Sequence, residues 1–400
     1  MTHSPTLSWG YKDMFVTEKD AIPLINKPIA ATRKAFFIAG FSLASWAPLI
    51  PLTKERLQVD NGMMGVILLA FGLGSLVMMP LSGMLAARFG CRRVFTLALL
   101  LVLVTLPALV TLDSIVPLAL ALFCFGAGIG AMDVVVNIHA VITEKYAQRP
   151  IMSGFHALFS LGGIAGAAVV SALLSWEVPP LKVVAIVMAL LASIMLFAWS
   201  GLMDEAERRK TPFFVLPKGA VLLLGLLCCV AYMMEGSMLD WSGILLISQH
   251  SIDLRQAGLG YTLFAITMTS GRLLGDKAVE KLGAKKIFIG SAMLATAGFI
   301  VLIVSHTLFI TALAFLLIGL GVANIAPMLF TASGQQKDMP DALAVAAVYT
   351  LGYSGILVGP ALIGFVAHLS SLIGAFVFVS LLSIILLIVS GRVRLTAQGQ

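Results

Sequence analysis

Charge is what this 400-residue sequence has least of: Asp, Glu, Lys and Arg together make up 11% of it, against 60% hydrophobic residues. A soluble domain carries roughly 25% charged residues, because a folded surface must be wetted by water. A chain this poor in charge cannot cover a water-facing surface of its own size, so the solvent that makes its composition workable is a lipid bilayer. Cysteine is almost as scarce, and Cys91, Cys124, Cys228 and Cys229 form no C-x-x-C pair. With no metal-ligand spacing either, no metal, redox centre or cofactor is expected. The sequence also lacks a zinc-protease H-E-x-x-H, a nucleophile-elbow G-x-S-x-G and a phosphate-binding glycine loop. Those absences exclude the familiar hydrolases and ATP as an energy source, and the chain is not expected to be an enzyme.

What is present is a series of hydrophobic runs, each long enough to cross roughly 30 Å of hydrocarbon. Twelve are expected, near 34–53, 62–85, 93–112, 115–142, 152–176, 181–201, 219–247, 256–276, 286–305, 309–333, 342–367 and 370–390. The longest connection, 202–218, carries Asp204, Glu205, Glu207, Arg208, Arg209 and Lys210, and divides the chain into equal halves. The expected organisation is a cytosolic tail at 1–33, a six-helix bundle at 34–201, a cytoplasmic linker at 202–218, a second bundle at 219–390 and a tail at 391–400. No cleavable signal precedes the first run, which itself is expected to direct insertion.

The net charge of +7 could suggest nucleic acid, but the basic residues have a simpler arrangement. With the N-terminus inside, 22 of the 26 Lys and Arg residues fall in inside segments; only Lys54, Arg56, Lys182 and Arg255 fall outside. Short basic loops stay in the cytoplasm during insertion, so the charge is topological and both termini are placed in the cytoplasm. Nucleic acid is not an expected partner. The expected setting is a bacterial inner membrane, with the bilayer, a small-molecule substrate and protons as partners and a monomer as the working form.

The halves repeat one another, as in many secondary transporters. Gly90-Cys91-Arg92-Arg93-Val94-Phe95 after span two matches Gly283-Ala284-Lys285-Lys286-Ile287-Phe288 after span eight at an offset of 193. Gly128-Ile129-Gly130 with Asp133 in span four matches Gly319-Leu320-Gly321 with Asn324 in span ten at an offset of 191. Gly163-Ile164 with Gly166 likewise matches Gly355-Ile356 with Gly359.

Several polar groups interrupt the apolar spans. An ionised carboxylate in hydrocarbon is costly, so Asp133 needs either a polar cavity or a proton. Asn137 lies four residues on, on the same helix face. Asp133 reads as a proton-coupling and substrate-orienting group; the alternative is an aspartate bonded to a neighbouring helix for packing. Glu235 in span seven is a second acid facing the first bundle if the halves face each other. Two imidazoles, His139 and His156, could relay protons from Asp133; His156 is the stronger candidate, since His139 lies near charged loop residues and could be solvated. Asp240 and Trp241 fit a gate at the outer surface, or for Trp241 an interface belt. Asn324, Pro327, Tyr349 and Tyr353 offer neutral groups in the second half, and Trp46 a flat ring for a hydroxylated ligand, or in each aromatic case helix packing.

Twelve spans in two basic-looped halves resemble the major facilitator superfamily over Arg33 to Arg394. Its motif after spans two and eight reads approximately G-x-L-x-D-R-x-G-R-R. The first copy here runs Gly83-Met84-Leu85-Ala86-Ala87-Arg88-Phe89-Gly90-Cys91-Arg92-Arg93, with Ala87 where the family has its aspartate. The second copy, Gly271-Arg272-Leu273-Leu274-Gly275-Asp276 through Gly283-Ala284-Lys285-Lys286, keeps an acid. The resemblance implies a cytoplasmic gate at Arg88, Gly90, Arg92, Arg93, Arg272, Asp276 and Gly283, with any latch mainly in the second copy. Span one, from Phe37 to Pro51, and Glu235 to Ser242 look like the branch of rhizopine-permease-like and fucose-permease-like carriers, and so does the Asp133/Asn137 pair.

The fold implied is all-α with twelve transmembrane helices in two pseudo-symmetric bundles. The function implied is proton-coupled uptake of a small polar neutral solute, a sugar, polyol or cyclitol derivative, by alternating access. Asp133, Glu235 and His156 would carry the proton, and Asn137, Trp46, Asn324, Tyr349, Tyr353, Asp240 and Trp241 the solute. A proton-driven exporter of drugs or metabolites is the alternative within transport, and a transporter-like sensor the alternative outside it.

Overall fold

The computed structural model describes residues 18–59, 61–204, 216–250, 259–337 and 339–393. Most of the N-terminal tail, the linker charges Glu205 to Lys210, Arg255 and the end of the C-terminal tail therefore lie outside the described residues. Those that are described fold into helices without a strand. In chain order they are α1 (Glu18–Ser45), α2 (Ile50–Leu57), α3 (Asn61–Phe89), α4 (Cys91–Thr111), α5 (Ile115–Ala147), α6 (Met152–Ser175) and α7 (Pro180–Trp199). The second half contains α8 (Gly219–His250), α9 (Leu259–Leu282), α10 (Ala284–Ile303), α11 (Leu308–Val322), α12 (Ile325–Gln335), α13 (Asp341–Leu369) and α14 (Leu372–Ser390).

All twelve expected spans are present as helix. Among the described residues, ten segments are long and apolar enough to cross a membrane by length and composition. The other two are α1 and α9. Arg33 and Lys34 lie within α1, and Arg272, Asp276, Lys277, Glu280 and Lys281 load the second half of α9. Side chains on the perimeter are apolar and uncovered, Phe197 at 75% and Phe309 at 80% exposure, an arrangement that only a hydrocarbon surround stabilises.

Two spans are broken, each for a local reason. The first stops at Ser45 and continues through a short 3₁₀ turn, Ala47–Leu49, into α2. Pro48 and Pro51 lack the N–H that would continue the ladder and crowd the preceding turn. The tenth divides into α11 and α12 at Ala323-Asn324. Pro327 cannot donate to the Ala323 carbonyl four residues earlier, so that oxygen is left for another donor. Span four, its repeat partner, has no proline there, and α5 runs unbroken for 33 residues, roughly 50 Å.

The internal repeat is visible in backbone geometry. One glycine joins α3 to α4 and one joins α9 to α10, with Gly90 at φ 83°, ψ 154° and Gly283 at φ 87°, ψ 145°. Both φ values lie where a Cβ is strained. Helix pairing repeats as well: α3 packs on α5 and α1 on α6, as α9 packs on α11 and α8 on α13. Glycine permits the closest of these approaches, with Gly126 against the Phe71 backbone and Gly319 against that of Phe264.

The two halves meet mainly along α3 with α13 and α6 with α9, with α12 also touching α5 and α6. At the end of the molecule that carries the Gly90 and Gly283 turns, this seam is closed by polar bonds. Asp276 on α9 accepts from the Ser153 and Gly154 N–H groups that open α6, at 2.9 and 2.8 Å. Glu144 near the end of α5 accepts from the Thr331 hydroxyl of α12 at 2.6 Å, and Lys145 pairs with Asp341, the first residue of α13.

Candidate functional site

Midway along α5, Asp133 is 4% exposed and its Oδ1 has no hydrogen-bond partner among the described residues. Its carboxyl is met from the other half by the Tyr349 hydroxyl of α13. Asn137, one turn along α5, donates from Nδ2 to the Asp133 backbone carbonyl at 2.8 Å. Its Oδ1 faces His156 Nε2 at 3.1 Å. An amide oxygen only accepts, so Nε2 carries the imidazole proton. Asp133, Asn137, His156 and Tyr349 are thus brought together.

Rings close the floor of this group. His156 is stacked on Phe330 of α12 at 5.6 Å with 5° between planes, and Phe330 is stacked on Tyr349 at 5.4 Å. Phe36 of α1 covers the other side of His156 at 5.3 Å, and Tyr232 of α8 meets Tyr349 edge-on at 6.1 Å. The column joins the halves, since His156 belongs to the first and Phe330 to the second. Tyr353 hydrogen-bonds Ser75 of α3, and Tyr232, Tyr349 and Tyr353 all lie within the field of Asp133.

On the second half, Glu235 of α8 is paired with Arg272 of α9 at 3.2 Å. Arg272 also donates from Nε to the carbonyl of Ala323, the oxygen that Pro327 leaves free, at 3.3 Å. Its Nη1 crosses to the Ser160 hydroxyl of α6 at 3.0 Å. Arg272 was expected at the cytoplasmic gate; the structure places it in the interior, beside Glu235, because it lies one full turn before Asp276 along α9. Asp240 is exposed, and Tyr261 stands in the field of both Glu235 and Asp240.

Other expected residues have different surroundings. Asn324 sits in the break between α11 and α12, donates to the Gly271 carbonyl at 3.1 Å and packs on Gly275, so it joins span ten to α9. Trp46 is buried in the turn after α1, and the Trp241 ring packs on Gly364; both indole N–H groups lack partners among the described residues. Phe330 and Phe36 provide the flat rings of the Asp133 group. His139 is buried, not solvated: its Nε2 accepts from the Met203 N–H at 2.9 Å while Nδ1 faces the Thr32 hydroxyl at 2.9 Å.

The first basic motif makes its contacts within its own half. Arg88 lies over Phe89 at 5.4 Å. Arg92 donates from Nε to the Leu202 carbonyl at 2.6 Å, and Arg93 pairs with Asp204 at 3.3 Å. Of the expected gate, Asp276 and Arg272 are the residues that bond across the seam, Asp276 at its closed end and Arg272 in the interior, while Gly90 and Gly283 shape the turns. Sequence reasoning missed Phe330, Tyr232, Ser160 and Glu144. Phe330 carried one available signal, its place one turn after Pro327 in a span expected to line a cavity.

The sequence profile described as Major Facilitator Superfamily matches residues 35–331 and 221–397. An uncharacterized MFS-type transporter of Yersinia pestis is 46% identical over 361 residues, covering 90% of this chain and 94% of the relative. The membrane protein MosC of Rhizobium meliloti is 29% identical over 368 residues, covering 89% and 88%. Among solved structures, the human organic anion transporter MFSD10 (TETRAN) has a TM-score of 0.76 at 15% identity, covering 92% of this chain and 99% of that one. The transporter FucP in its outward conformation has a TM-score of 0.74 at 16% identity, with the same coverage.

Proposed function

Because the chain belongs to the major facilitator superfamily of membrane transporters, we propose that it is a proton-coupled importer of a small polar neutral solute, a sugar, polyol or cyclitol derivative. The observation that carries this reading is Asp133. It is buried between the halves with one carboxyl oxygen unpartnered among the described residues and phenols around it. A carboxylate in that setting is a place for a proton or for a hydroxyl donor, and the two together make a symport site. Stacked Phe330 and Tyr349 supply flat faces for a ring. A solved FucP structure is described as a fucose:proton symporter, which agrees with this reading on the fold it shares.

The distribution of Lys and Arg supports placing the Gly90 and Gly283 turns, and both termini, on the cytoplasmic side, and on this reading the membrane is a bacterial inner membrane. On that orientation the closed polar seam lies on the cytoplasmic side, which supports reading the conformation as one with access from outside. Transport proceeds by rocking one half against the other around Asp133, with the Asp276–Gly154 and Glu144–Thr331 bonds breaking on the way to the inward state.

Luminal pH in proteoliposomes, followed as sugars, polyols and inositol derivatives are added outside, tests this directly. Acidification with one compound class establishes symport and names that class. Silence across the panel, from folded and inserted protein, overturns the importer reading in favour of export.

A further inference from the structure

Arg272 uses its guanidinium on three elements, and the three bonds are unequal. Glu235 holds Nη2 by charge, and the Ala323 carbonyl, freed by Pro327, holds Nε. Both belong to the second half. The third bond, from Nη1 to the Ser160 hydroxyl, crosses to the first half and ends on a neutral, half-buried side chain. Ser160 has a second bond of its own, to the His156 carbonyl at 3.3 Å. It is the least costly of the three to exchange, and two further guanidinium N–H groups stand beside it.

Across the seam lies an acceptor with the opposite deficit. Asp133 Oδ1, on the other half, lacks a donor among the described residues. Tyr232 of α8 lies one turn before Glu235, the partner of Arg272, and meets Tyr349, the partner of Asp133, edge-on at 6.1 Å, which brings the two charges into one region between the halves. A ligand that satisfies both must donate at one edge and accept at another. A neutral ring with several hydroxyls does so. An alkylammonium can pair with Asp133 but is repelled by Arg272, and a carboxylate can pair with Arg272 but is repelled by Asp133 and Glu235.

We propose that Arg272 binds the cargo directly, exchanging its bond to Ser160 for a hydroxyl oxygen of a neutral polyhydroxylated ring whose other hydroxyls donate to Asp133. This rests on the importer reading above and assigns the residue through which cargo is felt by both halves. In the empty protein the Arg272–Ser160 bond joins them at this level; in the loaded protein the cargo takes its place.

The test uses the full chain in proteoliposomes, with luminal acidification as the readout and myo-inositol, D-fucose, D-glucosamine and D-glucuronate as probes. In the wild type one neutral probe is expected to acidify the lumen, with the amine and the acid competing at least about tenfold more weakly. Removing the competing hydroxyl in Ser160→Ala is expected to lower the KM for that probe by about three- to tenfold with kcat little changed, and Arg272→Lys to raise KM by about tenfold or more. Wild-type silence overturns the importer reading and this inference with it. An active wild type whose KM is unmoved by Ser160→Ala, or whose Arg272→Lys variant loses kcat at constant KM, overturns this inference alone. Equal competition by the charged probes does the same.

Discussion

Gly154 and Asp276 meet across the two halves: the backbone N–H of the one donates to the carboxylate of the other at 2.8 Å, with no side chain on Gly154 to hold α6 and α9 apart. The same carboxylate takes the Ser153 N–H, while Glu144 takes those of Ile151 and Met152 at 3.0 and 3.1 Å. All four free donors at the start of α6 are therefore satisfied by two acids, one from each half. Asp276→Asn keeps the shape but presents an amide to N–H groups. The expected loss, about 1–3 kcal/mol, raises the inward-open population by roughly 5- to 150-fold without opening it fully, because Glu144 still bonds Thr331. A cysteine placed at Val141, which packs on Gly334 in the seam, should react correspondingly faster with an impermeant maleimide from the cytoplasmic side. An unchanged rate removes Asp276 from the latch.

Gly90 and Gly283 share a backbone conformation but not a neighbourhood. A Cβ on Gly90 would strike Asp204, whereas nothing lies within 4 Å of one on Gly283. Gly283→Ala should therefore cost only the strain of a Cβ at that positive φ, about 1–3 kcal/mol. Gly90→Ala should cost that and also displace the linker start, which Arg92, Arg93 and His139 otherwise hold. Thermal unfolding in detergent should show the larger loss for Gly90→Ala, and Asp204→Ala should narrow the difference. Equal losses would show that the linker contact contributes nothing.

Much of this was legible in the sequence because hydrophobic length and glycine placement act locally. The spans follow from runs of apolar residues, and the Gly90 and Gly283 turns from a motif in which no other residue tolerates the backbone. Asp133, Asn137 and His156 stood out because polar atoms in hydrocarbon need partners. What could not be read is which partner. Arg272 sits in a stretch that resembles a loop motif, and the partners that hold it in the interior, Glu235 and the carbonyl freed by Pro327, lie on two other spans. The loss of the acid at Ala87 was plain, yet the Arg92-Arg93 pair turned out to be engaged by Leu202 and Asp204, over a hundred residues away. Phe330 offered no more than its place one turn after Pro327, since one phenylalanine among 23 has no pattern until its neighbours are known.

Phe330 is the ring that lies between His156 and Tyr349, and its chain neighbour Thr331 bonds Glu144 in the closed seam. Phe330→Ala removes the middle of that column and leaves a cavity that the flanking rings do not fill, at a cost of about 3–5 kcal/mol. Beyond the stability loss, the variant is expected to leak protons in the absence of cargo, seen as faster dissipation of an imposed pH gradient in proteoliposomes. Phe330→Tyr, which keeps the ring, should not leak. If both variants hold the gradient as the wild type does, the column is packing and not a barrier.

Asp133→Asn separates the proton from the shape of the site. The side-chain oxygen of asparagine still accepts from Tyr349, and Asn137 is held by the backbone carbonyl at position 133, which the substitution leaves in place. The aromatic floor and the Glu235–Arg272 pair lie on other residues and keep their contacts. What is lost is a group that can bind and release a proton within the transport cycle. Accumulation driven by an imposed pH gradient is therefore expected to fall to simple equilibration. Exchange of labelled for unlabelled solute at equal pH should stay within about tenfold of wild type, the cost of one altered hydrogen bond. Measured on the same vesicles, the two rates tell the two roles apart: intact gradient-driven uptake removes Asp133 from coupling, whereas loss of exchange along with uptake makes it a cargo ligand first.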